Sequence, residues 1–368
     1  MPRTPRPRVT PCATRGLLLL GLVSLTVLPS AFGQAPSFDK VTYRNADGKV
    51  VTDAGELKEF PGRVELLTNG KTKAILAPDI LKVEPGSLAG VSAVETMTAR
   101  GLEDNKDLGK PLAAYGDLVK KAGAAAPERT RRFLASREAN FAAKLADGKT
   151  GAEFDAEARR AVEKLSAVTA LSRKSWEVWP AAKLTARLQA ELGDFAKAAA
   201  TLGSLAATPD LPKELRLEAR LLEAGMSLRA AQWPALDGAL DLLEKDKDLV
   251  AGPQRERLDV LKVAAALRLP ATPPGGPPPP ENVARLQAAI DLAKSPVAKG
   301  IGYTALAELQ LAHNQAREAM WAYLWVDVVY NQEHDDQVLA VRRLAQIFDL
   351  LGDKDRAEQF REKLTRVR

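Results

Sequence analysis

The stretch LGDFAKAA, residues 192–199, is written almost again as LGDKDRAE at residues 351–358. In both, an alanine follows the glycine by five residues, Ala198 after Gly193 and Ala357 after Gly352. Outward from Gly193 come Leu202 at plus nine, Leu205 at plus twelve and Ala186 at minus seven. Outward from Gly352 come Leu364 at plus twelve, Phe348 at minus four, and Ala345 and Leu344 at minus seven and minus eight. A third copy centres on Asn314 in LAHNQAREA, with Ala319, Tyr323 and Val326 after it and Ala307, Leu306 and Tyr303 before it. A weaker copy centres on Ala231, with Ala224 at minus seven and Leu240 at plus nine. There Leu236 replaces the small residue at plus five, and Pro234 follows Trp233. Anchors 193 and 231 are 38 residues apart, as are 314 and 352; the 83 residues from 231 to 314 leave room for one more pair near 253–294.

The spacing has a physical reading. Two helices that cross closely need small side chains where their backbones approach, and alanine supplies them at minus seven and plus five. The chain reverses between the helices, and glycine or asparagine accepts the left-handed backbone this requires. Large apolar residues at plus nine and plus twelve then pack onto the next pair. The expectation is a mainly α chain, an α-solenoid of helical hairpins. Over residues 176–368 it resembles the tetratricopeptide repeat (TPR) family, and over 88–175 only poorly. The period is a few residues longer than the family's, and Thr185 stands where a large apolar residue is usual.

The resemblance implies a superhelix with the first helix of each pair lining its inner surface, a groove that in this family commonly takes extended peptides or protein tails. Carried over residue by residue, the positions facing that groove are Lys183, Arg187, Glu308, Leu311, Leu339, Arg342, Gln346 and Asp349. The polar members, Lys183, Arg187, Glu308, Arg342, Gln346 and Asp349, form the expected partner-binding groove. Lys183 with Arg187, and Arg342 with Gln346, are spaced i, i+4 and suit a carboxylate or backbone carbonyls. The plainer alternative is a solvated helix face.

Residues 37–86 follow a different period. In FDKVTYRNADGKVVT, Val41 and Tyr43 alternate with polar residues and Asp47-Gly48 signals a hairpin. GRVELLTNGKTKAIL repeats the pattern with Val64, Leu66 and the turn Asn69-Gly70. DILKV is a last short strand, stopped by Pro85-Gly86. Four to five short strands predict a small antiparallel β-domain that closes on itself or leans on a neighbour. It loosely resembles SH3-like and Sm-like small β-barrels. The expected organisation is a signal peptide over 1–33, the β-domain over 34–86, a helical hairpin region over 87–175 and the repeats over 176–368. In the hairpin region, Phe133, Leu134, Phe141 and Leu145 share one face, as do Phe154, Ala158, Val162 and Leu165.

Several other stretches have bland readings beside sharper ones. PATPPGGPPPP, residues 270–280, has seven prolines in eleven residues and is read as an extended inter-helix loop rather than a ligand for a proline-binding domain. In MWAYLWVDVVY, Trp321, Leu324, Trp325 and Val328 form one helix face; Ala319, Tyr323, Val326 and Tyr330 form another. Both faces are expected to be buried between neighbours, and Trp176 and Trp179 to lie at the seam between the helical hairpin and the repeats. His313 sits at a helix end, and His334 in NQEHDDQ belongs to an acidic helix start. DNKDLG at 104–109 has Lys106 at a ligand position and no closing glutamate, so it is not a calcium loop.

The N-terminus carries Arg3, Arg6, Arg8 and Arg15, then an apolar run over 17–28, Pro29, and small residues at Ala31 and Gly33. The run is too short to span a bilayer, and the segment reads as a secretory signal cut after Gly33, with an uncleaved anchor as the rival. Export to a periplasmic or other extracytoplasmic compartment follows. Removing the four arginines lowers the net charge from +6 to +2, so the basic balance lies largely in the signal and a nucleic-acid partner loses its support. Cys12, the single cysteine, precedes the apolar run; the mature chain has no thiol for a disulfide, a nucleophile or zinc. With two histidines and no recognised nucleophile motif, no catalytic residue, metal or cofactor is assigned.

The sequence therefore points to a non-catalytic, exported TPR-like scaffold for protein–protein interaction in the cell envelope, its partners proteins or peptides of unstated identity. Membrane association stays open, without a mature transmembrane helix. The alternatives are an envelope enzyme with a carboxylate-based site between β-domain and solenoid, and an RNA binder using the Sm-like strands.

Overall fold

A computed structural model describes residues 38–230, 232–246, 248–267 and 277–367, apart from the side chains of His334 and Asp335. The expected signal and most of the proline-rich stretch lie outside the described residues. Phe38–Arg368 forms one compact unit.

Five strands open it: β1 (Asp39–Arg44), β2 (Val50–Phe60), β3 (Arg63–Thr68), β4 (Lys71–Leu76) and β5 (Ile80–Glu84), with a 3-10 turn over Ala77–Asp79 before β5. They form one antiparallel sheet in the order β4-β3-β2-β1-β5. β2 pairs with β1 up to Gly55 and with β3 from Glu56 onward, so the sheet folds over at the middle of this long strand. A side chain on Gly55 would run into the Leu67 carbonyl, which is why the fold-over falls there. Asn69 (φ 51°) and Gly70 (φ 75°) both take the left-handed backbone that a two-residue hairpin needs. Val41, Tyr43, Val64 and Leu66 point inward and are buried, as their alternation predicts.

Fourteen helices follow among the described residues: α1 (Ala93–Gly101), α2 (Gly109–Ala122), α3 (Glu128–Asp147), α4 (Gly151–Leu171), α5 (Val178–Glu191), α6 (Phe195–Ala206) and α7 (Lys213–Arg229), then α8 (Trp233–Lys245), α9 (Pro253–Ala266), α10 (Pro280–Leu292), α11 (Pro296–Ala312), α12 (Ala316–Val328), α13 (His334–Leu350) and α14 (Lys354–Val367). Consecutive helices pack as antiparallel pairs from α2 onward, giving a TPR-like α-solenoid preceded by the small sheet. α9 and α10 fill the interval left between the anchors. Ser92 and Ser295 cap α1 and α11 by accepting from Glu95 and Ala298 N–H groups.

The anchors carry one repeated device. Gly193 (φ 84°), Asn314 (φ 59°) and Gly352 (φ 79°) are left-handed. After each, the next N–H bonds back to the carbonyl five residues earlier: Asp194 to Gln189 at 2.8 Å, Gln315 to Gln310 at 2.9 Å, Asp353 to Phe348 at 2.9 Å. The weak copy closes in the same way, Gln232 to Ser227 at 2.9 Å, although Ala231 itself lies outside the described residues. Ala198, Ala319 and Ala357 are fully buried, as are Ala224 and Ala307. Leu236, the misfit at plus five, is equally buried. Thr185, the other misfit, is buried too and gives its hydroxyl proton to the Ala181 carbonyl at 2.8 Å, so neither departure exposes an unpartnered group.

Two expectations need correcting. On α12 only the Ala319, Tyr323 and Val326 face is buried. Trp321 (63% exposed), Trp325 (46%) and Val328 (65%) lie on the outer side, where Trp325 stacks on Tyr303 and Tyr330 at 5.8 and 6.2 Å. The next pair covers one face of the helix; the other faces outward, with the Tyr303 and Tyr330 rings against Trp325. The tryptophan seam is also wider than expected. Trp179 packs with Ala77, Leu205, Leu211 and Leu215, and Trp176 joins that cluster to the sheet's core, so the two rings tie the β-domain to the solenoid. Gly62 belongs to the same seam: a Cβ there would come within 2.8 Å of Leu211 and Leu215.

Candidate binding groove

The inner wall of the solenoid is built by α5, α7, α9, α11 and α13, and three adjoining cavities run along it. The first, about 60 Å³, is lined by Lys183, Arg229, Arg257, Glu308, Glu333 and Asp336 around an apolar floor. The second, about 390 Å³, lies beside Phe154, Arg342, Gln346, Asp349 and Arg361. A small third, lined by both Arg187 and Arg342, shares Arg229 with the first and Leu339 and Arg342 with the second. The six polar residues carried over from the repeat pattern thus all reach this run of cavities. Leu339 lines it as well, whereas Leu311 packs, partly buried, against the core.

Most of their polar groups already have partners within the chain. Arg187 donates to both Asp147 oxygens, at 2.7 and 2.9 Å. Glu308 accepts from Arg343 at 3.0 Å and from the fully buried Tyr323 hydroxyl at 2.5 Å. Burial, reinforced by the Glu308 charge, pushes that phenol well above its ordinary range, so it stays a donor. Asp349 accepts from Arg361 at 2.5 Å, and Gln346 from Arg343 at 3.1 Å. Lys183 lies over the Trp179 ring at 5.7 Å and Arg342 over the Phe154 ring at 5.4 Å.

The last pair turns back on the first. α13 packs against α5, Arg342 reaches Phe154 on α4, and Arg229 on α7 donates to Asp336 at 2.9 Å across 107 residues of sequence. Both partners of that pair are largely buried. The groove is therefore a lumen closed in part by the chain's own last pair. Arg229, Arg257 and Arg343 were not anticipated, and Glu333 and Asp336 were read only as part of an acidic helix start. Arg229 and Arg257 belong to the weak copy and to the pair without an anchor; Arg343 adjoins Arg342 on the same helix and would have followed from a wider face.

The junction between sheet and helices is closed and mixed in charge. Arg129 of α3 donates to Asp39 at 2.7 Å and to Glu59 at 3.2 Å. Arg132 holds Glu59, Glu128 at 3.1 Å and Glu177 at 3.8 Å. Burial raises the Glu59 carboxyl and the nearby Glu177 charge adds to this, while Arg132 and Arg129 oppose it. Asp39, Glu59 and Glu177 in this seam each lie within ion-pair distance of an arginine, an arrangement that fastens two parts of a fold together. Among the described residues no cluster of three or more His, Cys, Asp or Glu could hold a metal ion, and no helix is long and apolar enough to cross a membrane.

No family model matches the chain, and no curated protein matches it. Among solved structures it is similar to a tetratricopeptide repeat protein from Parabacteroides merdae, at 13% identity, over 74% of this chain and 92% of that one, with a TM-score of 0.43. A likeness so distant carries no functional argument.

Proposed function

We propose that the chain is an exported, non-catalytic scaffold that binds a protein segment in the lumen of its solenoid and works in the cell envelope. The observation that carries the reading is the convergence of Lys183, Arg187, Glu308, Arg342, Gln346 and Asp349, from three helices far apart in sequence, on one connected run of cavities. A TPR-like solenoid is a shape that typically binds rather than catalyses. The arginine-bridged junction gives the alternative enzyme no exposed acid–base pair. The apolar run at 17–28 and the basic residues before it support export.

The test is cross-linking in intact cells that express the tagged chain, followed by fractionation. The expected result is one protein recovered with the wild-type chain in the envelope fraction and lost with Arg342→Glu. Recovery of the same protein with both chains, or retention of the chain in the cytoplasm, overturns the proposal.

A further inference from the structure

The first cavity differs chemically from its neighbours. Its walls are Leu221, Met226, Leu228 and Leu261, all buried, with Ile301 beside them. Thr304, 4% exposed, belongs to the same lining, and its hydroxyl is buried without a hydrogen-bond partner. A buried hydroxyl left unpaired is unfavourable, so it marks a place where a polar atom can be supplied by whatever enters.

The charges at the rim are nearly all committed. Arg229 is held by Asp336 and Arg257 by Glu218, both at 2.9 Å, Glu308 takes Arg343, and Lys183 lies on Trp179. Among the described residues, the side chain of Glu333 makes neither a hydrogen bond nor an ion pair, though it lines the cavity. An incoming anion would face this carboxylate, and apart from the Lys183 ammonium on its ring the cations of the rim are already in ion pairs. An incoming cation finds an acceptor ready.

Size narrows the choice. The cavity of about 60 Å³ compares with the roughly 10–15 Å³ that one water requires, which is room for a string of about five heavy atoms. An unbranched alkyl chain ending in an ammonium is of that size.

We propose that this cavity binds a primary ammonium on an unbranched alkyl chain, a lysine side chain or a free alkylamine, with Glu333 accepting the ammonium and the Thr304 hydroxyl serving as second polar contact. The inference rests on the groove reading only in placing the cavity on the binding side of the solenoid. It names the kind of residue that a bound segment inserts there.

Calorimetric titration of the purified full chain tests it, with n-pentylamine, a blocked Gly-Lys-Gly peptide, its norleucine counterpart and pentanoate as probes. The expected result is saturable binding of the two amines and none of norleucine peptide or pentanoate. Glu333→Gln weakens both amines at least tenfold and Thr304→Val several-fold, while the helical circular dichroism of each variant matches wild type. A tighter lysine peptide assigns the site to a protein segment, and a tighter pentylamine to a free amine; either supports the proposal. No saturation with either amine, equal binding of pentanoate, or amine binding indifferent to Glu333→Gln overturns it. Loss of the envelope partner through Arg342→Glu with amine binding intact would leave this site standing, so the two proposals fail separately.

Discussion

Gly193, Asn314 and Gly352 occupy the one backbone conformation that lets an α-hairpin reverse with its last carbonyl paired. Gly193→Ala puts a Cβ into that conformation at a cost of about 1–2 kcal/mol. Chemical denaturation is expected to show a loss of that size, and Asn314→Gly to show none. These positions were legible because the constraint is local: the turn chemistry is written at the turn. Arg132 is a different case. It joins α3 to Glu59 on β2 and to Glu177 just before α5, partners 73 and 45 residues away, and no spacing rule points to them. Arg132→Met leaves the buried Glu177 without its cation and Glu59 with Arg129 alone, and is expected to cost about 3–5 kcal/mol by the same measurement. Glu333 gives a pH signature. Burial raises its carboxyl above the ordinary 4.5, with Arg257 and Lys183 opposing and Glu218 and Asp336 assisting. The folded state therefore holds this proton more tightly than the unfolded chain. The associated stability is full below pH 4.5 and is lost as pH rises through the folded value. Relative to wild type, Glu333→Gln is expected to gain stability between pH 4 and pH 7.

Helix α12 shows what an element's sequence can and cannot reveal. Its two apolar faces look equally suited to burial, yet Tyr323 is fully buried and Trp321 is 63% exposed. Periodicity places residues on faces; which face finds a neighbour depends on where the following pair docks. Here α13 covers the Tyr323 side. The contrast is measurable: Tyr323→Ala is expected to cost about 3–5 kcal/mol, whereas Trp321→Gln should change stability by less than about 0.5 kcal/mol. The strands were legible for the opposite reason. Alternation in β1 and β3 decides one buried face against one solvated face, and Asn69-Gly70 fixes the register between β3 and β4.

At the scale of the molecule, the solenoid curls until its last pair meets its first helices. The candidate site was half legible. The repeat pattern placed six residues along the inner wall, but the curl that narrows the groove to a lumen comes from contacts between α13, α7, α5 and α4, which no repeat unit encodes. Arg229→Ala removes the partner of the largely buried Asp336 and frees α13 from α7. Faster amide hydrogen exchange is then expected along α13 and at the end of α7, with the β-domain unaffected.

All of this depends on hairpins nested through alanine at a stride of 38 residues. Urea unfolding of Ala319→Leu tests that claim most directly. Ala319 is fully buried at the crossing of α11 and α12, where added methylenes have no space. The predicted result is a loss of about 1–3 kcal/mol. A variant as stable as wild type would contradict it.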